Sequence, residues 1–316
     1  MILHKNTTYL SKYKFLICLF FFTPIVTLGQ EVEEYIKRAK ISTNLENFES
    51  AIVDYSKAIE IDPKKTSLYF ERAVLKAQIN DYYGAISDYT KASELNPMDV
   101  TIYVGRGIAK GQLNDFKGSI EDYNKAVEIN PNYPAIYYVR AFAKEKLQDY
   151  YGAIADYTKC IEFFPEEEEY YNIRAKLKEK LQDYYGAIAD YIICVELLPE
   201  KASNYNDMGK NKALLGDYIG ALNSFEKASE LDPNNHGYLQ NIGNAMLNLN
   251  DVYGAINYFT KSIEINPSVN AYSLRALAKY KLNDFQGACQ DALFSNQLGG
   301  GDLSMNRDLI KLLKCN

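Results

Sequence analysis

The stretch KLQDYYGAIADY occupies residues 146–157, and the same twelve letters return at 180–191, an offset of 34. The offset is not confined to this pair. Pro63, Pro97, Pro131, Pro165, Pro199, Pro233 and Pro267 stand 34 apart along the chain. Around each proline one frame recurs: a small pair such as Gly84-Ala85 or Gly152-Ala153, an aromatic four residues after the alanine, a further small residue, then the proline, commonly after Asn or Asp. Self-similarity at a fixed period of this length marks a repeat architecture, in which each repeat hides its apolar side only against its neighbours.

Two helical patterns alternate within each period. Leu68, Tyr69, Arg72, Ala73 and Lys76 follow helical spacing, a turn falls near Asn80-Asp81, and Ala85, Ile86, Tyr89 and Ala92 resume the pattern before Pro97. Each period is therefore predicted to be a helical hairpin. Asp81, Asp115, Asp149, Asp183, Asp217, Asp251 and Asp284 sit where an N-cap accepts backbone N–H bonds at the start of the second helix.

A 34-residue hairpin with these small, aromatic and closing proline positions resembles the tetratricopeptide repeat. The resemblance covers about residues 31–302. It implies an all-α, right-handed superhelical solenoid of about eight hairpins over 30–302, with repeats near 32–65, 66–99, 100–133, 134–167, 168–201, 202–235, 236–268 and 269–302. Residues 303–316 are expected to form a capping helix through Leu303, Ile310 and Leu313. Two departures stand out. The family's frequent first-helix tryptophan is Tyr here (Tyr35, Tyr69, Tyr103, Tyr137, Tyr171, Tyr205, Tyr272) or Leu239, which accounts for much of the unusual count of 28 Tyr against 0 Trp. The eighth repeat has Ala292 where an aromatic belongs and ends in Gly299-Gly300-Gly301 instead of a proline. Two columns of small residues let paired helices approach: Ala39, Ala73, Gly107, Ala141, Ala175, Gly209, Gly243 and Ala276 on the first helix, and Ala58, Ala92, Ala126, Cys160, Cys194, Ala228 and Ser262 on the second. Cys160 and Cys194 read as small core fillers; the cysteine spacings dictate no disulfide.

Comparing the repeats with one another exposes a pairing. Arg38, Arg72, Arg106, Arg140, Arg174 and Arg275 each have an aspartate sixteen residues on: Asp54, Asp88, Asp122, Asp156, Asp190 and Asp291. Where the arginine is replaced, by Met208 and Ile242, the aspartate is replaced too, by Ser224 and Tyr258. A salt bridge between the two helices of one hairpin follows, expected at the strength of an exposed pair, about 0.2 to 1 kcal/mol.

The first 29 residues differ from the rest. Lys5, Lys12 and Lys14 precede the apolar run Phe15 to Val26, followed by Thr27-Leu28-Gly29. This pattern is that of a cleaved secretory signal, too short and too interrupted by Pro24 for a membrane span of ~20 residues. The chain is therefore expected to be bacterial and secreted or periplasmic, with no stable membrane span after cleavage. With 35 Lys+Arg against 41 Asp+Glu the protein is acidic, a poor match for a nucleic-acid backbone. Beyond the leader, His236 is the lone histidine, so neither a Ser-His-Asp set with alternatives nor a histidine-rich metal site can be assembled. Gly105-Arg106-Gly107 lies inside a repeat helix and is no phosphate loop. No catalytic residue, metal or cofactor is expected, and the Glu166 to Glu169 run reads as a solvated helix start.

Function then resides in contact with a protein or peptide partner. The resemblance implies a concave groove lined by first helices: Phe70, Val74, Val104, Ile108, Tyr138 and Phe142 as an apolar stretch, then Asn172, Lys176, Asn206, Lys210, Gln240 and Asn244 as a polar one able to hydrogen-bond a partner backbone. Lys40, followed by Val74 and Ile108, does not offer the Lys/Asn/Arg set by which some relatives grip a terminal carboxylate. A non-catalytic scaffold holding a peptide or partner helix is the leading expectation. The alternative is a structural subunit of a cell-envelope or secretion assembly.

Overall fold

The computed structural model describes residues 28–299, 310–313 and 315; residues 1–27 of the expected leader, residues 300–309 and with them Leu303 lie outside the described residues, whereas Leu28-Gly29, the end of the expected leader, open the first helix. Helices account for most of what is described, and there is no strand among the described residues. They group into two compact units, Met1–Asp149 and Tyr150–Asn316.

The N-terminal unit begins with helix α1 at 28–44. It continues with α2 (Phe48–Ile61), α3 (Thr66–Gln78), α4 (Tyr82–Leu95), α5 (Val100–Gln112), α6 (Phe116–Ile129) and α7 (Pro134–Lys146). Successive helices pack antiparallel as hairpins, and each second helix also packs on the first helix of the next hairpin. The C-terminal unit repeats the plan with α8 (Tyr150–Phe163), α9 (Glu168–Lys180), α10 (Tyr184–Leu197), α11 (Ala202–Leu214), α12 (Tyr218–Leu231), α13 (His236–Asn248), α14 (Val252–Ile265), α15 (Val269–Lys281) and α16 (Phe285–Leu298). A short helix α17 at 310–313 follows.

The turn between the helices of each hairpin has one recurring solution. Asp81, Asp115, Asp183, Asp217, Asp251 and Asp284 accept the N–H three residues on, as expected, and Asn47 does the same for α2. The residue just before each cap turns the chain through the left-handed region: Glu46, Asn80, Asn114, Gln148, Gln182, Asn250 and Asn283 have φ of +57° to +65°, and Gly216 +80°. Only that last position uses the residue for which this conformation is free of strain.

The core is a row of small-on-aromatic contacts. Ala73 meets Tyr89, Ala175 meets Tyr191, and Gly107 lies so close under Tyr123 that an added Cβ would come within 2.5 Å of the ring. Cys160 and Cys194 are buried and free, with burial pushing their thiols up to about 11 and about 12, so they are inert fillers. In the last hairpin Ala292 replaces the aromatic, and Ile310 and Leu313 of α17 pack against Ala276, Ala288 and Ala292 instead. A disulfide the spacings did not dictate, Cys289–Cys315 with Cα atoms 5.5 Å apart, pins this cover in place.

Candidate protein-binding surfaces

The arginine–aspartate pairs close within single hairpins. Nη2 to Oδ1 distances are 2.7 Å for Arg72–Asp88, 2.6 Å for Arg106–Asp122, 2.7 Å for Arg174–Asp190, 2.7 Å for Arg275–Asp291 and 3.0 Å for Arg38–Asp54. The expectation of exposed, weak pairs is corrected: the aspartates are buried, and all of these arginines except Arg38 are largely covered. Asp156 is likewise buried on α8. Each aspartate from Asp88, Asp122, Asp190 and Asp291 also takes a lysine, Lys76, Lys110, Lys178 or Lys279, at 2.7 to 2.8 Å. Two cations around one buried carboxylate satisfy both its oxygens, the condition for burying the charge.

The same guanidinium reaches backward as well. Arg72 donates through Nη1 to Ser56, Arg106 to Thr90, Arg140 to Asn124, Arg174 to Thr158 and Arg275 to Thr260, each on the second helix of the preceding hairpin, at 2.8 to 3.2 Å. Its plane lies over Tyr69, Tyr103, Tyr137, Tyr171 or Tyr272, 5.5 to 5.9 Å from the ring centre. The hydroxyls of Tyr69, Tyr103 and Tyr137 in turn donate to the carbonyls of Pro63, Pro97 and Pro131. Tyrosine at this position thus ties its helix to the turn that precedes it. The backward partner was missed, though the sequence carried the signal. Before Met208 and Ile242, which lack the guanidinium, the corresponding residues are Ile192 and Glu226 rather than Ser, Thr or Asn.

Not all twelve residues expected to line a groove do so. In the N-terminal unit Phe70, Val74 and Val104 are half-buried and pack into the cores of their own hairpins, Phe70 edge-on to Tyr89 at 5.8 Å. Ile108, Tyr138 and Phe142 are exposed. They line a cleft of about 520 Å³ with Gly111, Gln112, Phe116 and Lys146, the last lying over the Phe142 ring at 4.9 Å.

In the C-terminal unit Lys176 and Lys210 are exposed and Asn244 half-buried, whereas Asn172, Asn206 and Gln240 are buried. Their amides are spent internally, which corrects the expectation that they are free to meet a partner backbone. Asn172 donates to Asn204 at 3.1 Å, Asn241 to Asn206 at 2.8 Å, and Asn270 to Gln240 at 2.6 Å, each bond joining first helices of successive hairpins. This ladder holds together the hairpins where the arginine is missing. Lys210, Asn241, Asn244 and Asn248 line a second cleft of about 390 Å³ with Leu214 and Tyr218. Glu168 of the acidic run is also buried, against Lys201 at 2.8 Å, and not solvated. Among the described residues no cluster of His, Cys, Asp and Glu could hold a metal ion, and no helix is long and apolar enough to cross a membrane.

This geometry, hairpins stacked through small-on-aromatic contacts with exposed clefts on their first helices, is that of a repeat scaffold. Comparison with known families gives the same answer: residues 35–65, 134–167, 202–235 and 236–269 match the tetratricopeptide repeat, and 109–148 match the TPR repeat. The chain belongs to the tetratricopeptide repeat family, a fold of protein-interaction scaffolds. No curated protein sequence matches it. Among solved structures, the C-terminal part of a TPR repeat-containing protein from Cytophaga hutchinsonii is 17% identical with a TM-score of 0.64, over 76% of this chain and 99% of that one. A tetratricopeptide repeat protein from Parabacteroides merdae is 17% identical with a TM-score of 0.44, over 90% and 100%. MamA is 23% identical with a TM-score of 0.49, over 52% and 91%. The first of these shows the shared fold.

Proposed function

We propose that the protein is a non-catalytic scaffold that holds an apolar peptide segment or partner helix in the cleft on α5 and α7. The observation that carries this reading is the exposure of Ile108, Tyr138 and Phe142 together around one cleft. Contiguous apolar surface of this kind marks a binding site on a monomer. A hydrocarbon side chain entering the cleft would bury against three apolar residues, with Gln112 and Lys146 at the rim to orient a backbone or an acidic flank.

Selection of a displayed peptide library on the purified chain tests the reading. Peptides carrying clustered apolar residues should be enriched and should lose binding about tenfold or more to Ile108→Asp or Phe142→Asp. Failure to enrich anything, or enriched peptides indifferent to both substitutions, would refute it.

We further propose that the chain acts outside the cytoplasm. The basic, apolar and small segments at the N-terminus support this, and so does the Cys289–Cys315 disulfide, a bond favoured in oxidising compartments. A permanent structural subunit of an envelope assembly remains the second reading, favoured by one observation: Tyr151, Tyr185, Ile219 and Tyr253, at the same place in four successive second helices, are large, apolar and exposed. Purification from an envelope fraction separates the two, because a permanent subunit returns with partners at fixed stoichiometry.

A further inference from the structure

Five interior hairpins are received by the one before through one chemistry, an arginine donating back to a hydroxyl or amide, and the first hairpin carries the receiving half of that chemistry with no such acceptor among the described residues. On the interior faces the giving helix presents an aromatic followed directly by a hydroxyl or amide: Tyr55-Ser56, Tyr89-Thr90, Tyr123-Asn124, Tyr157-Thr158 and Phe259-Thr260. The second residue of each pair accepts from the next hairpin's arginine. Beside that bond an aliphatic residue of the receiving helix is sealed; Leu75, Ala109 and Ala143 are 1 to 3% exposed.

On α1 the same positions are Arg38 and Ile41. Arg38 keeps its ion pair to Asp54 and lies over Tyr35, yet its side chain is 59% exposed where the interior arginines are 15 to 17%. Ile41, counterpart of Leu75, Ala109 and Ala143, is 50% exposed. The two border an open pocket of about 390 Å³ with Ser42, Ser50, Val53 and Asp54, and Leu45 stands exposed at its end of the helix. At the opposite terminus of the array the last hairpin is covered by Ile310 and Leu313 and locked by the disulfide.

We propose that this open face of the first hairpin is a docking site for an α-helix contributed by another protein, one that presents an aromatic followed by Ser, Thr or Asn over a small-residue stripe. Two other occupants fit less well. The chain's own residue sixteen before Arg38 is Phe22, which follows Phe21 and offers no acceptor. A second copy stacking head to tail would present α16, whose corresponding residue is Leu293 and whose hairpin is already covered by α17. The guanidinium supplies a charge-assisted donor and Ile41 with Val53 an apolar floor, so the site should discriminate against helices lacking the acceptor.

The probe is a synthetic helix of the chain's own giving type: residues 82–95, which carry Tyr89-Thr90, with Ser87→Glu so that its carboxyl condenses with the amine of the outward Lys91 into a helix-locking lactam, labelled for fluorescence anisotropy. The full chain should bind it saturably. Thr90→Val in the peptide and Arg38→Gln in the chain should each weaken binding at least about tenfold, the scale of one hydrogen bond to a charged group. Because Arg38→Gln also removes an ion pair, Ile41→Lys provides an independent variant at an exposed side chain, with helix content checked for both. Phe142→Asp, in the α5–α7 cleft, should leave binding intact, so the two sites fail separately. Absence of saturable binding, sensitivity to Phe142→Asp without sensitivity to Arg38→Gln, or a thiol at Ile41→Cys shielded from maleimide by the chain's own N-terminal residues would each overturn the proposal.

Discussion

Arg106 shows how much one side chain does in this fold. Its guanidinium meets Asp122 within the hairpin, Thr90 and Ser93 in the hairpin before, and the face of Tyr103 below. Asp122 is buried and holds Lys110 as well, so the network operates in a low-dielectric setting where loss of one member strands the others. A double-mutant cycle on Arg106 and Asp122 should give a coupling of about 1 to 3 kcal/mol. The matched cycle on Arg38 and Asp54, where solvent reaches the arginine, should give less than about 1 kcal/mol. Equal couplings at the two sites would show that burial does not set the strength. The pairing was legible in the sequence because Met208 and Ile242 lost it together with Ser224 and Tyr258. Its burial was not, since covariation reports that two residues meet and not how much water reaches them.

At the scale of the helix and its turn, each hairpin is specified by a cap and a left-handed residue in series. Gln182 has φ of +59° and precedes the cap Asp183, which accepts from Gly186 at 2.9 Å. A glutamine in that conformation costs about 1 kcal/mol relative to glycine. Gln182→Gly is therefore expected to raise the midpoint of urea unfolding by the equivalent of up to about 1 kcal/mol, as the native Gly216 turn already exploits; a lowered midpoint would contradict the strain argument. Hairpin boundaries were legible because proline spacing and the Asp caps recur with the period. The clefts were only half legible. Phe70 and Tyr138 occupy the same place in their repeats, but the first packs on Tyr89 while the second is exposed. Asn172, Asn206 and Gln240 read as surface because polar side chains usually are, whereas here amide partners from neighbouring hairpins, residues 30 to 35 away in sequence, make burial tolerable.

For the molecule as a whole, stability is distributed along the repeats and secured at the C-terminal end. The Cys289–Cys315 bond closes a loop spanning 26 residues, and its reduction should cost the last hairpin about 3 kcal/mol. A dithiol reductant should accordingly lower the thermal midpoint and raise dye binding at Ala276, Ala288 and Ala292, and an unchanged midpoint would show that the cover holds without the bond. The buried tyrosines set an alkaline limit. Burial, helped by the charge of Glu71, pushes Tyr55 and Tyr89 up to about 12. An unfolded tyrosine ionises near ~10, so above that pH the unfolded chain sheds protons that the folded chain keeps. Stability should be complete below about pH 10 and decline through about 12, read as a falling thermal midpoint; a flat profile over that range would contradict the burial. The central claim is that this chain works by contact in the cleft on α5 and α7. The most direct test is amide hydrogen exchange with a library-selected apolar peptide bound: protection should concentrate in α5 and α7, around Ile108, Tyr138 and Phe142. Protection confined to the exposed tyrosine row of α8, α10 and α14, with none on α5 and α7, would contradict it.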